Sequence, residues 1–303
     1  MSERQVYISG AMVPESQAKI SIFDSAVMLG DTVTESTRTF AHHPFKLREH
    51  IDRLYKSLKV TRIDPGCDAG EMLRITDDVL QANLATYGAD KDCWLVHNIS
   101  RGLSIAGSDP TKTASRATVM IFTQPMDLRS WAGFYTHGCH AVMAMSRAIP
   151  AQSLDARIKN RSRLAYTLAE SEVKLVDPLA QGVILDIYGN VSENKGGNIF
   201  LVSDGVLKTP TTANCLDGVT RQTTLQLARD LGIPTLECVL QPYDLATADE
   251  LFFTSTPYCI MPATRFNGLD VGTGGIGPIT TRLLAAWSDL VGVDIVKQAR
   301  DQL

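Results

Sequence analysis

A lysine in a short basic segment is the first residue whose setting could support covalent chemistry. Lys159 stands in the run ARIKNR, residues 156–161, just before a stretch that predicts a helix from about Asn160 to Val176. The amine of a deprotonated lysine attacks carbonyl compounds and forms a Schiff base with them. A solvated surface lysine is the ordinary alternative, and the segment alone does not separate the two.

A carboxylate beside two glycines is the second such place. Glu193 lies in the run IYGNVSENKGGNIF, residues 187–200, in which a turn at Gly189-Asn190 comes before it and Gly196-Gly197 lead into a new strand. Glycine lets the backbone approach a flat or bulky group closely. A carboxylate at such a point could hold a protonated ring nitrogen. The alternative is a loop glutamate that faces water.

Two further segments carry groups that bind phosphate. The run LDGVTR, residues 216–221, places a glycine turn at the start of a predicted helix, where free N–H groups and the helix dipole favour anions. The run FFTSTP, residues 252–257, ends a predicted strand in three hydroxyl residues. Each segment also has a plain interpretation, because a helix can start without a ligand and hydroxyls can satisfy a turn.

The elements that must position these residues follow from hydrophobic patterns. Apolar residues at helical spacing predict helices at about 48–60, 70–87, 160–176, 219–231 and 278–292. Runs of β-branched and aromatic residues predict strands at 93–100, 117–122, 141–146, 182–187, 198–202 and 251–255. The turn-rich segment 124–131 predicts a linker between a small α/β domain, residues 1–123, and a larger domain, residues 132–303.

The composition excludes several classes of protein. The 303 residues suit two domains of about 150 residues each. A chain that is 44% hydrophobic and 20% charged can bury cores, and a net charge of −4 without a basic stripe argues against nucleic acid and anionic membrane as partners. The polar N-terminus and the six scattered cysteines, without a C-x-x-C pair, indicate a cytoplasmic protein with reduced thiols and no metal site.

Taken together, these segments and their order resemble the fold-type-IV pyridoxal-phosphate enzymes. This family holds branched-chain and D-amino-acid aminotransferases, (R)-selective amine transaminases and aminodeoxychorismate lyase. Residues 45–54, FKLREHIDRL, are similar to its E-H-x-x-R-L helix, and Gly30-Asp31 followed by Glu35 is similar to its G-D-x-x-x-E segment. Residues 206–221, from VLKTP to LDGVTR, are similar to the run L-x-T-P … L-x-G-[IV]-T-R. The resemblance covers nearly the whole chain.

The resemblance implies an α+β fold of two domains, one small α/β domain and one larger β-barrel-like α/β domain, with pyridoxal 5′-phosphate as cofactor. Lys159 would carry the cofactor and Glu193 would pair with its pyridine nitrogen. The phosphate would be held by four residues, which are Arg53, Val219, Thr220 and Thr256. Arg53 lies off the apolar stripe of its helix, so a surface position is the alternative, although arginine suits phosphate by geometry and charge.

The implied activity is a ping-pong transamination between an amino acid and a 2-oxo acid. Three alternatives stay open at this point: a D-amino-acid or (R)-amine transaminase, a lyase of the aminodeoxychorismate type, and a non-catalytic phosphate-binding protein. In the resembled family the neighbouring subunit lines part of the cleft, which implies a homodimer.

The segments that bind the substrate carboxylate depart from the family. The D-amino-acid enzymes place R-x-H after a T-R-G turn, whereas Ser100-Arg101-Gly102 is followed here by LSIAGS, residues 103–108, which lacks both residues. The branched-chain enzymes place an arginine two residues after an aromatic, whereas Trp94 is followed at that spacing by Val96. An altered carboxylate site is therefore expected.

Four residues are candidates for this altered substrate site. Leu29 and Thr34 replace a tyrosine and an aromatic of the branched-chain enzymes, and Arg38 or Arg129 could bind the carboxylate. A surface arginine is the alternative for each of the two. Because Glu35 and Arg38 match the branched-chain pattern, a hydrophobic or branched-chain amino acid is the favoured substrate.

Overall fold

The computed structural model describes residues 3–88, 91–104 and 116–303, and it divides into two compact units. The first unit comprises residues up to 126 together with 158–162, and the second comprises residues 127–157 and 163–303. The crossing between residues 126 and 127 falls inside the segment 124–131, while the predicted boundaries of 1–123 and 132–303 stay a prediction. From residue 105 onward, the substrate segment 103–108 lies outside the described residues.

The first unit is an antiparallel sheet with two long helices. Its strands are β1 Gln5–Ile8, β2 Ala11–Pro14, β3 Thr32–Phe40, β4 His43–Pro44, β5 Cys93–Ser100 and β6 Thr118–Pro125. Its helices are α1 Ser25–Met28, α2 Leu47–Thr61 and α3 Ala69–Leu84. The strand order is β2-β1-β6-β5-β3-β4, so β3 lies between β5 and β4.

Helix α2 is fixed to this sheet by its apolar stripe. Ile51, Leu54 and Leu58 recur at helical spacing and are buried in one core cluster with Val33 of β3 and Ile99 of β5. Each such side chain contributes about 1.5–3 kcal/mol when it leaves water. The burial of this stripe fixes the rotation of α2 and hence the direction of the side chains beside it.

The second unit contains the remaining elements around one larger sheet. Its helices are α4 Arg129–Ala132, α5 Phe134–His137, α6 Leu164–Lys174, α7 Val219–Asp230, α8 Pro242–Ala246, α9 Pro278–Val291 and α10 Ile295–Arg300. Its strands are β7 Cys139–Arg147, β8 Gln181–Leu185, β9 Val191–Glu193, β10 Asn198–Ser203, β11 Val206–Pro210, β12 Thr235–Cys238, β13 Glu250–Ser255, β14 Cys259–Phe266 and β15 Leu269–Asp270.

The sheet of the second unit mixes parallel and antiparallel neighbours. The strand order is β12-β11-β10-β13-β14-β7-β8-β9, and β15 pairs with β14. The pairs β11/β12, β14/β7 and β7/β8 are parallel, and the others are antiparallel. Strand β10 therefore lies beside β13, and β9 is the edge strand next to β8.

The predicted α+β fold class is confirmed, with two corrections to individual elements. The helix predicted from Asn160 begins instead at Leu164, and part of the predicted linker is the short helix Arg129–Ala132. Strands β3 and β14 and helix α10 were not predicted. In the described part of the chain, no helix has the length and apolarity that a membrane span requires.

Candidate active site

The first unit joins two residues of the resembled motifs in a buried ion pair. Arg53 of α2 donates from Nε to Glu35 Oε2 at 2.8 Å and from Nη2 to Glu35 Oε1 at 2.6 Å. Glu35 is fully buried, and the Arg53 side chain is 12% exposed. A two-point contact fixes the plane of the guanidinium group. Arg53 is therefore an ordered, largely buried cation and not a mobile surface residue.

His50 completes this group from the same helix. Its Nδ1 lies 2.9 Å from Glu35 Oε1. Burial lowers the pKa of His50 below its ordinary value, although Glu35 opposes this effect, so the ring is neutral at pH 7 and donates its Nδ1 proton to the carboxylate. Burial alone would raise the pKa of Glu35, but Arg53 and His50 outweigh it and hold that pKa well below its usual range. Glu35 is therefore ionised.

Lys159 lies on an extended segment beside this group. Its backbone carbonyl accepts a hydrogen bond from the Thr34 amide at 2.9 Å, and its amide donates to Ser57 Oγ at 3.2 Å. The next residue, Asn160, forms a β-bridge with β3. The predicted helix start at Asn160 was wrong because β3 takes the backbone hydrogen bonds there. Ser57 lies one turn after Arg53, so α2 anchors both residues.

The second unit holds Glu193 by both of its carboxylate oxygens. The Tyr166 hydroxyl of α6 donates to Glu193 Oε1 at 2.6 Å, and the Leu216 amide donates to Oε2 at 3.0 Å. Glu193 is 6% exposed. The alternative of a loop glutamate facing water is therefore wrong. The carboxylate has a fixed orientation at the end of β9.

The same segment leads directly into the start of α7. Gly218 precedes the helix, and a Cβ atom there would lie 2.3 Å from Asn198 Oδ1. The Asn198 amide in turn donates to the Leu216 carbonyl at 2.8 Å. The N-terminus of this 12-residue helix, with Val219 and Thr220 in its first turn, is therefore held against β10. Backbone N–H groups and the dipole at such a terminus bind anions.

The hydroxyl segment packs against the first residue of β10 as well. Thr256 follows β13, and its neighbour Ser255 donates to the Gly196 carbonyl at 2.5 Å. Asn198 pairs with Thr254 across β10 and β13, and a Cβ atom on Gly197 would lie 2.1 Å from the Thr254 carbonyl oxygen. The second unit thus brings the segments of Glu193, of the α7 start and of Thr256 together around Asn198.

The two replaced cleft residues of the first unit differ in exposure. Leu29 follows α1 and is 70% exposed. Thr34 is buried on β3, and its hydroxyl lies 2.9 Å from the His97 carbonyl and 2.8 Å from Asn98 Oδ1. Only Leu29 presents most of its side chain beyond its own unit's core. Their contact with a substrate stays a prediction.

The two candidate arginines both have carboxylate partners. Arg38 is 2% exposed, and its Nη2 lies 3.9 Å from Asp92 Oδ2. Arg129 is exposed and makes a two-point contact with Asp127, at 3.0 and 2.6 Å. The alternative of a surface arginine is wrong for Arg38 and is confirmed for Arg129. Their role in binding a carboxylate stays a prediction.

Sequence reasoning missed three residues that hold this machinery. Tyr166 was treated only as part of a helix, and Asn198 only as the start of a strand. The partnership of His50 with Arg53 had an available signal, because residues three apart on a helix share a face. Nothing local identified Tyr166 or Asn198, because their partners lie 27 and 18 residues away in the sequence.

Comparison with known proteins places this arrangement in a family. The family model of amino-transferase class IV matches residues 32–266. The branched-chain-amino-acid aminotransferase of Escherichia coli strain K12 is 31% identical over 291 residues, which cover 94% of this chain and 92% of that protein.

Solved structures show the same fold. The crystal structure of the Escherichia coli branched-chain amino acid aminotransferase superposes with a TM-score of 0.87 at 28% identity and covers 96% of this chain and 95% of its own. A second branched-chain amino acid aminotransferase, complexed with N-(5′-phosphopyridoxyl)-L-glutamate and taken from the organism abbreviated T.th., gives a TM-score of 0.86 at 26% identity, with the same coverage. The predicted family and enzyme class are confirmed: this chain belongs to the class IV aminotransferases.

Proposed function

We propose that this chain is a pyridoxal-phosphate-dependent transaminase that moves an amino group from a hydrophobic or branched-chain amino acid to a 2-oxo acid. The observation that carries the proposal is the connection from Glu193 through Leu216 to Gly218 and α7. It puts a fixed carboxylate and an anion-binding helix terminus a few residues apart, which suits a cofactor with a ring nitrogen at one end and a phosphate at the other. The relative complexed with N-(5′-phosphopyridoxyl)-L-glutamate supports the choice of cofactor.

The residues present fit that cofactor by their chemistry. Arg53 and the first turn of α7, with Val219 and Thr220, would hold the phosphate, and Thr256 would add a hydroxyl. Glycine at positions 197 and 218 leaves space that a Cβ would fill.

Three residues would divide the work on protons. Glu193 would hold a proton on the ring nitrogen, because its negative charge favours the protonated form. The bound cofactor then supplies a cationic ring that accepts the electrons released at the substrate Cα. Lys159 would carry the cofactor and, once displaced by the substrate amine, take the proton from the substrate Cα. Arg53, held by Glu35, would keep the phosphate end in place during both half-reactions.

The experiment that tests this proposal is spectral. The purified protein should be yellow, and borohydride reduction should abolish the colour and link the cofactor to Lys159, as peptide mass spectrometry would show. Lys159→Ala should lose turnover by at least about 10³-fold, since proton transfer by a placed side chain contributes 10²–10⁴. The matched control is Lys59→Ala, an exposed lysine of α2. A colourless protein that ignores added pyridoxal phosphate would instead favour a non-catalytic phosphate-binding protein.

The substrate is proposed from the relatives, which are named branched-chain-amino-acid aminotransferases. Leu29 and Thr34 would shape the substrate site, and Arg38 or Arg129 would bind the carboxylate. L-leucine and L-valine should convert the bound cofactor to pyridoxamine phosphate, and 2-oxoglutarate should restore it. Conversion by D-amino acids or (R)-amines alone would contradict the proposal, as would release of pyruvate from aminodeoxychorismate without that conversion.

The carboxylate ligand has its own test. Loss of the arginine that binds it should lower turnover of amino acids much more than that of amines, which lack the carboxylate. Arg38→Gln and Arg129→Gln should be compared on L-leucine and on a matched amine. Equal losses on both substrates would remove that role from the arginine in question.

We also propose that the chain forms a homodimer through an apolar surface around α1. This α1 patch consists of Ile22, Phe23, Val27, Met28 and Leu29, each more than half exposed. Contiguous exposed apolar patches mark interaction sites. Val27→Asp should yield monomers in sedimentation experiments, whereas Val239→Asp, at an exposed position of the second unit, should not. A wild-type monomer with full activity would contradict the proposal.

A cytoplasmic location is proposed on the basis of the cysteines. All six are free thiols, and four of them are buried. Free thiols are typical of reducing compartments. Cell fractionation with an antibody against the chain would test this location.

A further inference from the structure

We propose that Tyr166 is a positioning residue that aligns the Glu193 carboxylate with the ring nitrogen of the cofactor, and that Arg163 holds Tyr166 in place. The inference rests on the proposed use of pyridoxal phosphate. It assigns a role to two residues that neither the motifs nor the proposed phosphate grip includes.

The hydrogen bond from Tyr166 is short and joins two separate elements. The hydroxyl of Tyr166, on α6, lies 2.6 Å from Glu193 Oε1, at the end of β9. The other oxygen of Glu193 accepts from the Leu216 amide at 3.0 Å. A carboxylate has about four lone-pair sites, so two donors fix its plane and still allow a further proton donor. The ring nitrogen of the cofactor would be that donor.

The ring of Tyr166 is itself restrained. It packs against the apolar cluster that includes Val142, Ala169 and Val173. The guanidinium carbon of Arg163 lies 3.8 Å from the ring centroid, which is a cation–π contact. The hydroxyl therefore has little freedom to leave Glu193.

The phenol remains a proton donor at every working pH. Burial raises the pKa of Tyr166, and the negative charge of Glu193 raises it further, whereas Arg163 only partly opposes these effects. Because the hydroxyl keeps its proton, it always donates to Glu193 and never competes for the proton on the ring nitrogen. Alignment of Glu193 is the function that this geometry supports.

The test uses the holoenzyme loaded with pyridoxal phosphate that carries ¹⁵N in the ring. In the wild-type protein the nitrogen signal should lie at its protonated position at pH 7.5. In Tyr166→Phe it should move toward the unprotonated position, and the affinity for the cofactor should fall about tenfold, as expected for a hydrogen bond to a charged group. Arg163→Gln should move the signal in the same direction with a loss of affinity of about threefold.

The control is Tyr243→Phe, an exposed tyrosine of the same unit, which should leave the signal and the affinity unchanged. An unchanged nitrogen signal in Tyr166→Phe would overturn the inference whatever the affinity does, since a loosened fold alone can weaken binding. If Tyr166→Phe does not fold, an unchanged signal in Arg163→Gln would overturn it. A wild-type protein that binds no cofactor would instead overturn the proposed function, so the two failures are distinguishable.

Discussion

The two units each bury a functional glutamate, and they satisfy it differently. Glu35 of the first unit faces a cation, Arg53, and the Nδ1 proton of His50. Glu193 of the second unit accepts from two neutral donors, the Tyr166 hydroxyl and the Leu216 amide. A buried ion pair stabilises only while both partners are present. Neutral donors instead orient a carboxylate and leave its negative charge available to act on a bound group.

This difference assigns the two carboxylates to different tasks. Glu35 serves the fold and, through it, the orientation of Arg53. Glu193 serves the cofactor directly. Loss of Glu35 should therefore appear first in the stability of the protein, and loss of Glu193 first in its turnover.

The largest effect is expected from Glu35→Gln. A neutral side chain leaves the Arg53 guanidinium buried without the charge of Glu35, which costs about 3–5 kcal/mol in free energy of unfolding. Urea denaturation would measure this loss. Glu49→Gln, also on α2, removes only a surface pair with Lys46 at 3.9 Å and should cost no more than about 1 kcal/mol. Similar losses in the two variants would break the comparison.

A smaller free-energy change, confined to activity, is expected from Glu193→Gln. Loss of the charge that holds the ring proton should lower kcat/KM by about 10²–10³-fold, the usual effect of removing one preorganised electrostatic group. The free energy of unfolding should fall less than in Glu35→Gln, because glutamine still accepts a hydrogen bond. Glu170→Gln, which alters a partly exposed pair with Lys174, is the control for turnover. An active but unstable Glu193→Gln variant would reverse the proposed assignment.

Acid should destabilise the first unit through its buried histidines. Burial lowers the pKa of His97 from 6.5 to about 4, with Glu35 opposing and His50 assisting this shift. Between these two values the unfolded chain binds the proton and the folded chain does not, so stability falls as the pH drops from 6.5 to 4. The expected loss is about 3 kcal/mol.

Denaturation curves at pH 7, 5.5 and 4.5 would measure this dependence. His97→Asn should flatten it, whereas His43→Asn, at an exposed position of the same unit, should leave it unchanged. Equal slopes for all three proteins would show that other groups cause the acid sensitivity.

The sequence predicted well the elements whose hydrophobic pattern is local. Helix α2 and strand β5 lie within one residue of their predicted bounds because their apolar residues recur at the helical and strand periods. Strand β3 escaped prediction because its sequence, TVTESTRTF, is mostly polar, and its burial comes from the helices and strands packed around it. Strand β14 contains Pro262, a residue that argues against a central strand.

The candidate site could be predicted only as a set of separate residues. The resemblance supplied Lys159, Glu193 and Arg53 because each belongs to a motif of contiguous residues. The contacts that orient them depend on tertiary structure, as when Tyr166 meets Glu193 or Ser57 meets the Lys159 amide. No local pattern carries that information.

The smallest effect is expected from Gly218→Ala, which tests whether the orientation of Glu193 depends on its neighbours. The added Cβ would lie 2.3 Å from Asn198 Oδ1, so Asn198 must shift, and its bond to the Leu216 carbonyl would shift with it. Leu216 in turn holds Glu193, so the disturbance should reach the carboxylate. Overpacking of this kind costs about 1–3 kcal/mol.

We therefore expect Gly218→Ala to weaken cofactor affinity about tenfold, close to 1.4 kcal/mol, measured by fluorescence titration of the cofactor-free protein. The matched control is Gly133→Ala, because a Cβ there meets no atom within 4 Å. If Gly218→Ala binds the cofactor as tightly as Gly133→Ala does, Asn198 absorbs the clash without moving Leu216. Glu193 would then owe its orientation chiefly to Tyr166, and the contrast between the ion-paired and the neutrally held carboxylate would rest on that one hydroxyl.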